Sequence, residues 1–94
     1  MDYVGTNGNN ITQTNVIVGY DGTEETDGLL VNDAVISATN INITTEGILG
    51  NVGTISATTI ANAGNVYIED GSVNVTNITT AANASTIING GNVN

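Results

Sequence analysis

Nine carboxylates and three tyrosines are the only ionisable side chains in this 94-residue sequence, which has no Lys, Arg, His or Cys. Four of the acids, Asp21, Glu24, Glu25 and Asp27, crowd into "DGTEETDG" (21–28), and Glu69 and Asp70 sit together in "IEDGS" (68–72). Two carboxylates facing each other can hydrolyse a glycosidic bond. A cluster of them can hold calcium through oxygen. Activating a Ser or Thr nucleophile needs a neighbouring base, and no His, Lys or Cys is present to share that work. Sugar-cleaving sites are normally clefts with aromatic platforms, whereas this chain has no Phe or Trp and only Tyr3, Tyr20 and Tyr67. No enzyme activity and no cofactor are expected.

For calcium, 21–28 has the right donors but the wrong spacing. It matches neither the twelve-residue helix-loop-helix loop nor the glycine-rich nonapeptide of calcium-binding β-rolls. The segment reads as a solvated acidic loop, with Asp21, Glu24, Glu25 and Asp27 as weak metal candidates. "IEDGS" reads as a turn in which Asp70-Gly71 supplies the positive φ angles.

The formal charge of −9 sets further exclusions. Nucleic-acid surfaces need basic groups to displace counterions, and anionic membranes need them for attraction, so neither partner is expected. No apolar run approaches the ~20 residues that span a bilayer. Without Cys or His there is no disulfide and no thiolate or imidazole zinc site. A small domain buries little surface, so a partner subunit is the stabilising device left over.

The elements that must position these residues are strands. Ile, Val and Thr suit a pleated surface, while the many Asn, Gly and Asp suit turns. "TNVIVGY" (14–20) reads as a strand. So does "LLVNDAVIS" (29–37), with Leu29, Val31, Asp33 and Val35 on one parity. Alternation continues at Ile41 and Ile43, at Val66 and Ile68, and at Val73 and Val75. Glycine-bearing phrases, "EGILGN", "NAGN", "EDGS" and "NGGN", punctuate them. Residues 1–13 are Gly- and Asn-rich and read as an arm or attachment segment, leaving 14–94 as the β-repeat domain.

Several words recur: "ISAT" at 36–39 and 55–58, "NITT" at 42–45 and 77–80, "GNV" at 50–52, 64–66 and 91–93. Short strands with internal self-similarity point to a repeat architecture whose rungs bury their apolar faces only against neighbours. The uneven spacing fits several chains wrapping together better than one strict coil. The expected fold is all-β: an elongated β-helical or β-solenoid-like fibre of short strands, intertwined in a homo-oligomer. Its core would be Ile36, Ile41, Ile43, Ile55, Ile60, Val66, Ile68, Val73, Val75 and Ile78.

Two further motifs carry little weight. Five Asn-x-Ser/Thr sequons, at Asn10, Asn42, Asn74, Asn77 and Asn83, are close to the number this composition yields by chance. A Thr-x-Thr ladder for ice binding occurs once, at Thr12-Gln13-Thr14. The pairs Thr44-Thr45, Thr58-Thr59 and Thr79-Thr80 would split between two faces.

The stretch 27–93, with "LLVNDAVIS", "ISATTI" and "GNVYIEDGSV", resembles the fibre and baseplate-associated β-repeats of tailed bacteriophages, especially those of marine cyanobacteria. The resemblance implies a homotrimer with a β-helical or β-prism shaft, fixed to other virion proteins by its N-terminal segment. Tyr3 and Val4 are then the expected attachment residues. The ending "STIINGGNVN" carries no aromatic tip, which favours a shaft, spacer or decoration role over receptor binding. If Met1 is the true start, "MDYVGTNGNN" is no export signal, consistent with assembly into a virion in a host cytoplasm. The alternatives are an extracellular filament or adhesin-type β-solenoid, and a small calcium- or ice-binding β-module.

Overall fold

The computed structural model describes residues 2–3, 5–7, 10–19, 28–88 and 92–94; side chains are described at 10–19, 28–88 and 93–94. Within them the chain is a parallel β-solenoid of about three turns, without a helix. Each turn carries a long strand and a short one. The long strands are β3 (Ile11–Val18), β5 (Val35–Ile43), β7 (Thr54–Asn62) and β9 (Ser72–Thr80). With the terminal pieces β1 (Asp2–Tyr3) and β11 (Asn92–Val93) they form a six-stranded sheet in the order β1-β3-β5-β7-β9-β11. The short strands β2 (Gly5–Asn7), β4 (Gly28–Asn32), β6 (Gly47–Asn51), β8 (Asn65–Ile68) and β10 (Ser85–Ile88) form a second sheet, β10-β8-β6-β4-β2.

The register puts like residues above one another. Ile11, Ile36, Ile55 and Val73 make one inward column, and Val16, Ile41, Ile60 and Ile78 make another. From the second sheet, Leu30, Leu49 and Val66 make a third. Stacking β-branched side chains vertically lets each methyl group fill the space beside its neighbour on the pleat. One chain thus encloses its own core, so no second chain is needed to bury these side chains.

The long strands are not straight. In β5 the inward residues are Ile36 and Ala38, then Ile41 and Ile43, so the alternation slips by one between Ala38 and Ile41. The ladder of partners is interrupted at the same height in every coil, at Thr14, Thr39, Thr58 and Thr76. The slip in the inward pattern and the gap in the ladder coincide there.

Several local expectations are corrected. "LLVNDAVIS" is two strands with a corner at Asp33–Ala34, and its parity is reversed. Leu30 and Asn32 point inward, while Leu29 and Asp33 are exposed. "EGILGN" is largely strand: Gly47 starts β6 because an added Cβ would run into the Val18 carbonyl oxygen of the coil before it. The "IEDGS" turn carries its positive φ at Gly71 alone (φ 77°). Part of segment 1–13 lies in the sheets: β1 and β2 pair with β3 and β4, and Ile11 to Gln13 begin β3.

Candidate functional site

Buried amides hold the corners from which the surfaces project. Asn32 and Asn51 end β4 and β6 with their side chains fully inside. Asn32 Nδ2 donates to Asn51 Oδ1 at 2.9 Å and to the Thr54 carbonyl at 3.0 Å. Asn51 Oδ1 also accepts from the Gly53 amide at 3.2 Å, while its Nδ2 donates to the Gly53 carbonyl. Asn62 does similar work at the next corner, donating to the Ser85 carbonyl at 2.7 Å and accepting from the Gly64 amide at 2.9 Å. Short Asn side chains can replace main-chain partners where the chain turns. Among the described residues every buried side-chain polar atom has a partner, so the interior carries no stored polar group waiting for a ligand.

The expected site residues fall as follows. Asp21, Glu24, Glu25, Asp27 and Val4 lie outside the described residues. Tyr3 lies in β1, paired with Val18. Ile36, Ile41, Ile43, Ile55, Ile60, Val66, Ile68 and Val73 are buried, and Val75 and Ile78 are half-buried against them. Sequence reasoning missed Ile11, Val16, Val18, Leu30 and Leu49. Val16 and Val18 were visible by their alternation. Leu30 was not, because next to Leu29 either parity gives an apolar stripe. Glu69 and Asp70 are exposed, and among the described residues no three acids gather where they could hold a metal ion.

Three outward features remain. The first is a hydroxyl-rich side. Thr12, Ser37, Ser56 and Asn74 stand in register. Two residues further along each strand are Thr14, Thr39, Thr58 and Thr76, all exposed. Of the threonine pairs, Thr44-Thr45 splits into a buried and an exposed residue and Thr58-Thr59 into an exposed and a half-buried one, whereas Thr79 and Thr80 are both exposed. Yet threonines from different coils line up vertically, which no in-sequence spacing shows.

The second is an open cleft of about 420 Å³, lined by Ile17, Asn42, Ala61, Thr79 and the turn residues Thr44 and Ala63. Ala61 and Ala63 leave it hollow where larger neighbours would fill it. Among the described residues no ionisable group lines it.

The third is the outer face of the second sheet. Leu29 pairs in register with Ile48, and Val31, Gly50, Tyr67 and Ile87 form the adjoining column. Leu29 is 44% exposed, Ile48 36% and Ile87 47%. Acids border this face at the corners: Glu46 precedes β6, Asp33 follows β4, and Glu69 and Asp70 follow β8.

Compared with protein-family models, with curated proteins and with solved structures, the chain finds no match in any of the three.

Proposed function

We propose that the chain is a non-enzymatic structural protein, a short fibre, spacer or decoration component of a phage virion. It works as a homo-oligomer, a trimer in the resembled proteins, in contact with other virion proteins. The observation that carries this reading is a filled coil with open ends. Among the described residues, strands β1, β2, β10 and β11 each have a sheet neighbour on one side only, and an edge strand is a template for pairing with another chain. A single chain extends only 32 × 29 × 20 Å, so a fibre of any length requires copies to be added. Light scattering with small-angle X-ray scattering tests the proposal. A discrete elongated trimer supports it, a compact monomer overturns it, and open-ended polymers point to the extracellular filament subunit instead.

A second reading, ice binding, is favoured by the two outward columns that run through Thr12 and Thr14, Ser37 and Thr39, Ser56 and Thr58, and Asn74 and Thr76. Thermal hysteresis in the native protein, abolished in Thr39→Lys/Thr58→Lys, would establish it. An ice-growth profile identical to that of buffer rules it out.

A further inference from the structure

We propose that the outer face of the second sheet is a docking surface for a protein segment carrying an apolar strip flanked by Lys or Arg. The proposal rests on the reading of the chain as a structural module held by other proteins, and names the face and the chemistry of the partner.

Four observations lead there. First, each of four adjacent strands puts an apolar side chain on this face: Leu29 and Val31 of β4, Ile48 of β6, Tyr67 of β8 and Ile87 of β10, with Gly50, Asn65 and Ser85 completing the same two columns. These are outward positions of strands whose inward positions, such as Leu30 of β4 and Leu49 of β6, already fill the core. The apolar residues outside are therefore surplus to folding. Exposed apolar patches rimmed by polar groups mark interaction sites.

Second, the rim has one sign. Glu46 stands at one end of the strands, and Asp33, Glu69 and Asp70 stand at the other, all exposed. The chain has no Lys, Arg or His to offset them. A covering segment with cations on both of its flanks complements this rim.

Third, a second copy is a poor occupant. Two copies would bring together rims of the same sign, on chains each of formal charge −9. Like charges facing each other across an interface oppose association.

Fourth, the area is small. Four strands about 4.8 Å apart, presenting about five residues at 3.3 Å each, give roughly 300 Å². A stable interface takes about 800 Å² from each partner. A narrow segment, such as one strand or one side of a helix, matches this area, and attraction at both flanks adds to it.

The test uses the intact chain and three fluorescent synthetic peptides, followed by anisotropy at 50 and 300 mM NaCl. One peptide alternates Leu and Thr with two Lys at each end. The second replaces Lys by Glu, and the third replaces Leu by Ser. The proposal expects binding of the Lys-flanked Leu peptide alone, several-fold weaker at the higher salt because exposed charges are screened. It expects a loss of about tenfold or more in Leu29→Ser/Ile48→Ser/Ile87→Ser, and a similar loss in Asp33→Asn/Glu69→Gln/Asp70→Asn. Both variants alter exposed side chains, and an unchanged thermal midpoint confirms that they fold.

Equal binding of the Glu-flanked or the Ser peptide overturns the proposal, as does binding insensitive to either variant. Dissociation of a wild-type oligomer by the Leu29/Ile48/Ile87 variant also overturns it, because a second copy then owns the face. An elongated oligomer that ignores the Lys-flanked Leu peptide sinks the docking surface and leaves the fibre reading standing. A compact monomer that binds the peptide does the reverse.

Discussion

Asn32 and Asn51 occupy the same corner of successive coils, and the amide of one donates to the carbonyl oxygen of the other at 2.9 Å with both residues fully buried. Their backbones are also register partners. The corner is thus fastened by side chains that run parallel to the sheet's own hydrogen bonds. Asn51→Ala removes an acceptor from Asn32 and from the Gly53 amide in a place water does not reach. A loss of about 2–3 kcal/mol is expected, read as a drop in the denaturant midpoint. The Asn40–Asn15 bond has similar length, 3.0 Å, but is exposed. Asn40→Ala should cost less than about 1 kcal/mol. Equal losses in the two variants would show that burial is not what gives the corner amides their value.

The core columns predict a gradient along the coil. Ile60 is buried between Ile41 and Ile78, whereas Ile78 is half-buried, with β9 next to the two-residue end strand β11. Ile60→Ala should cost about 3–4 kcal/mol, since the cavity is closed on all sides. Ile78→Ala should cost roughly half as much. Paired urea melts with unchanged m-values check this.

Two glycines of one short strand should respond oppositely. A Cβ at Gly47 would collide with the Val18 carbonyl oxygen, while one at Gly50 would meet only the Val31 Cγ2 atom at 3.9 Å. Gly47→Ala is expected to destabilise by more than about 2 kcal/mol, as a backbone clash in a packed coil. Gly50→Ala should be neutral or slightly stabilising, by up to about 1 kcal/mol, through the lower entropy of the unfolded chain. Thermal midpoints of the two single variants suffice.

The acidic segment should be dispensable for the fold. Val18 and Ile43 are register partners, and so are Gly28 and Gly47, so the columns resume on both sides of 20–27. The equivalent link in the next coil is only Thr44-Thr45-Glu46. Replacing 20–27 with two residues gives a link of that length and should change stability by less than about 1 kcal/mol, because loop length enters closure entropy only logarithmically. Calcium titration of the native chain against this deletion, followed by thermal unfolding, then isolates any metal contribution of Asp21, Glu24, Glu25 and Asp27. A calcium-dependent rise in midpoint confined to the native chain would establish the calcium-binding module.

Only part of the repetition in the sequence is structural. "ISAT" is a true coil repeat: Ile36 stands on Ile55 and Ser37 on Ser56. "NITT" is not, because Asn42 lies above Ala61, and Ala61 above Thr79 rather than above Asn77. "GNV" ends β6 at one occurrence and begins β8 at the next. In a chain built from so few residue types, identical words arise without identical positions. What a coil demands is an inward aliphatic at fixed heights, and Ile, Val and Leu satisfy that equally.

By itself the sequence determined the class of structure and the surface charge. Period-2 alternation of β-branched residues, only three aromatic residues and frequent turn residues leave little but short strands, and a chain without Lys, Arg or His is acidic however it folds. The tertiary structure decided three things that alternation leaves open. It chose the parity of "LLVND", because Leu30 fits the column of Leu49 while Leu29 is left on the acid-rimmed face. It placed the gap in the ladder at Thr14, Thr39, Thr58 and Thr76, where the inward pattern slips by one. It also joined threonines, amides and apolar side chains from different coils into vertical columns. Those neighbours are set by register between strands, and register is a property of the folded coil that spacing along one strand does not encode.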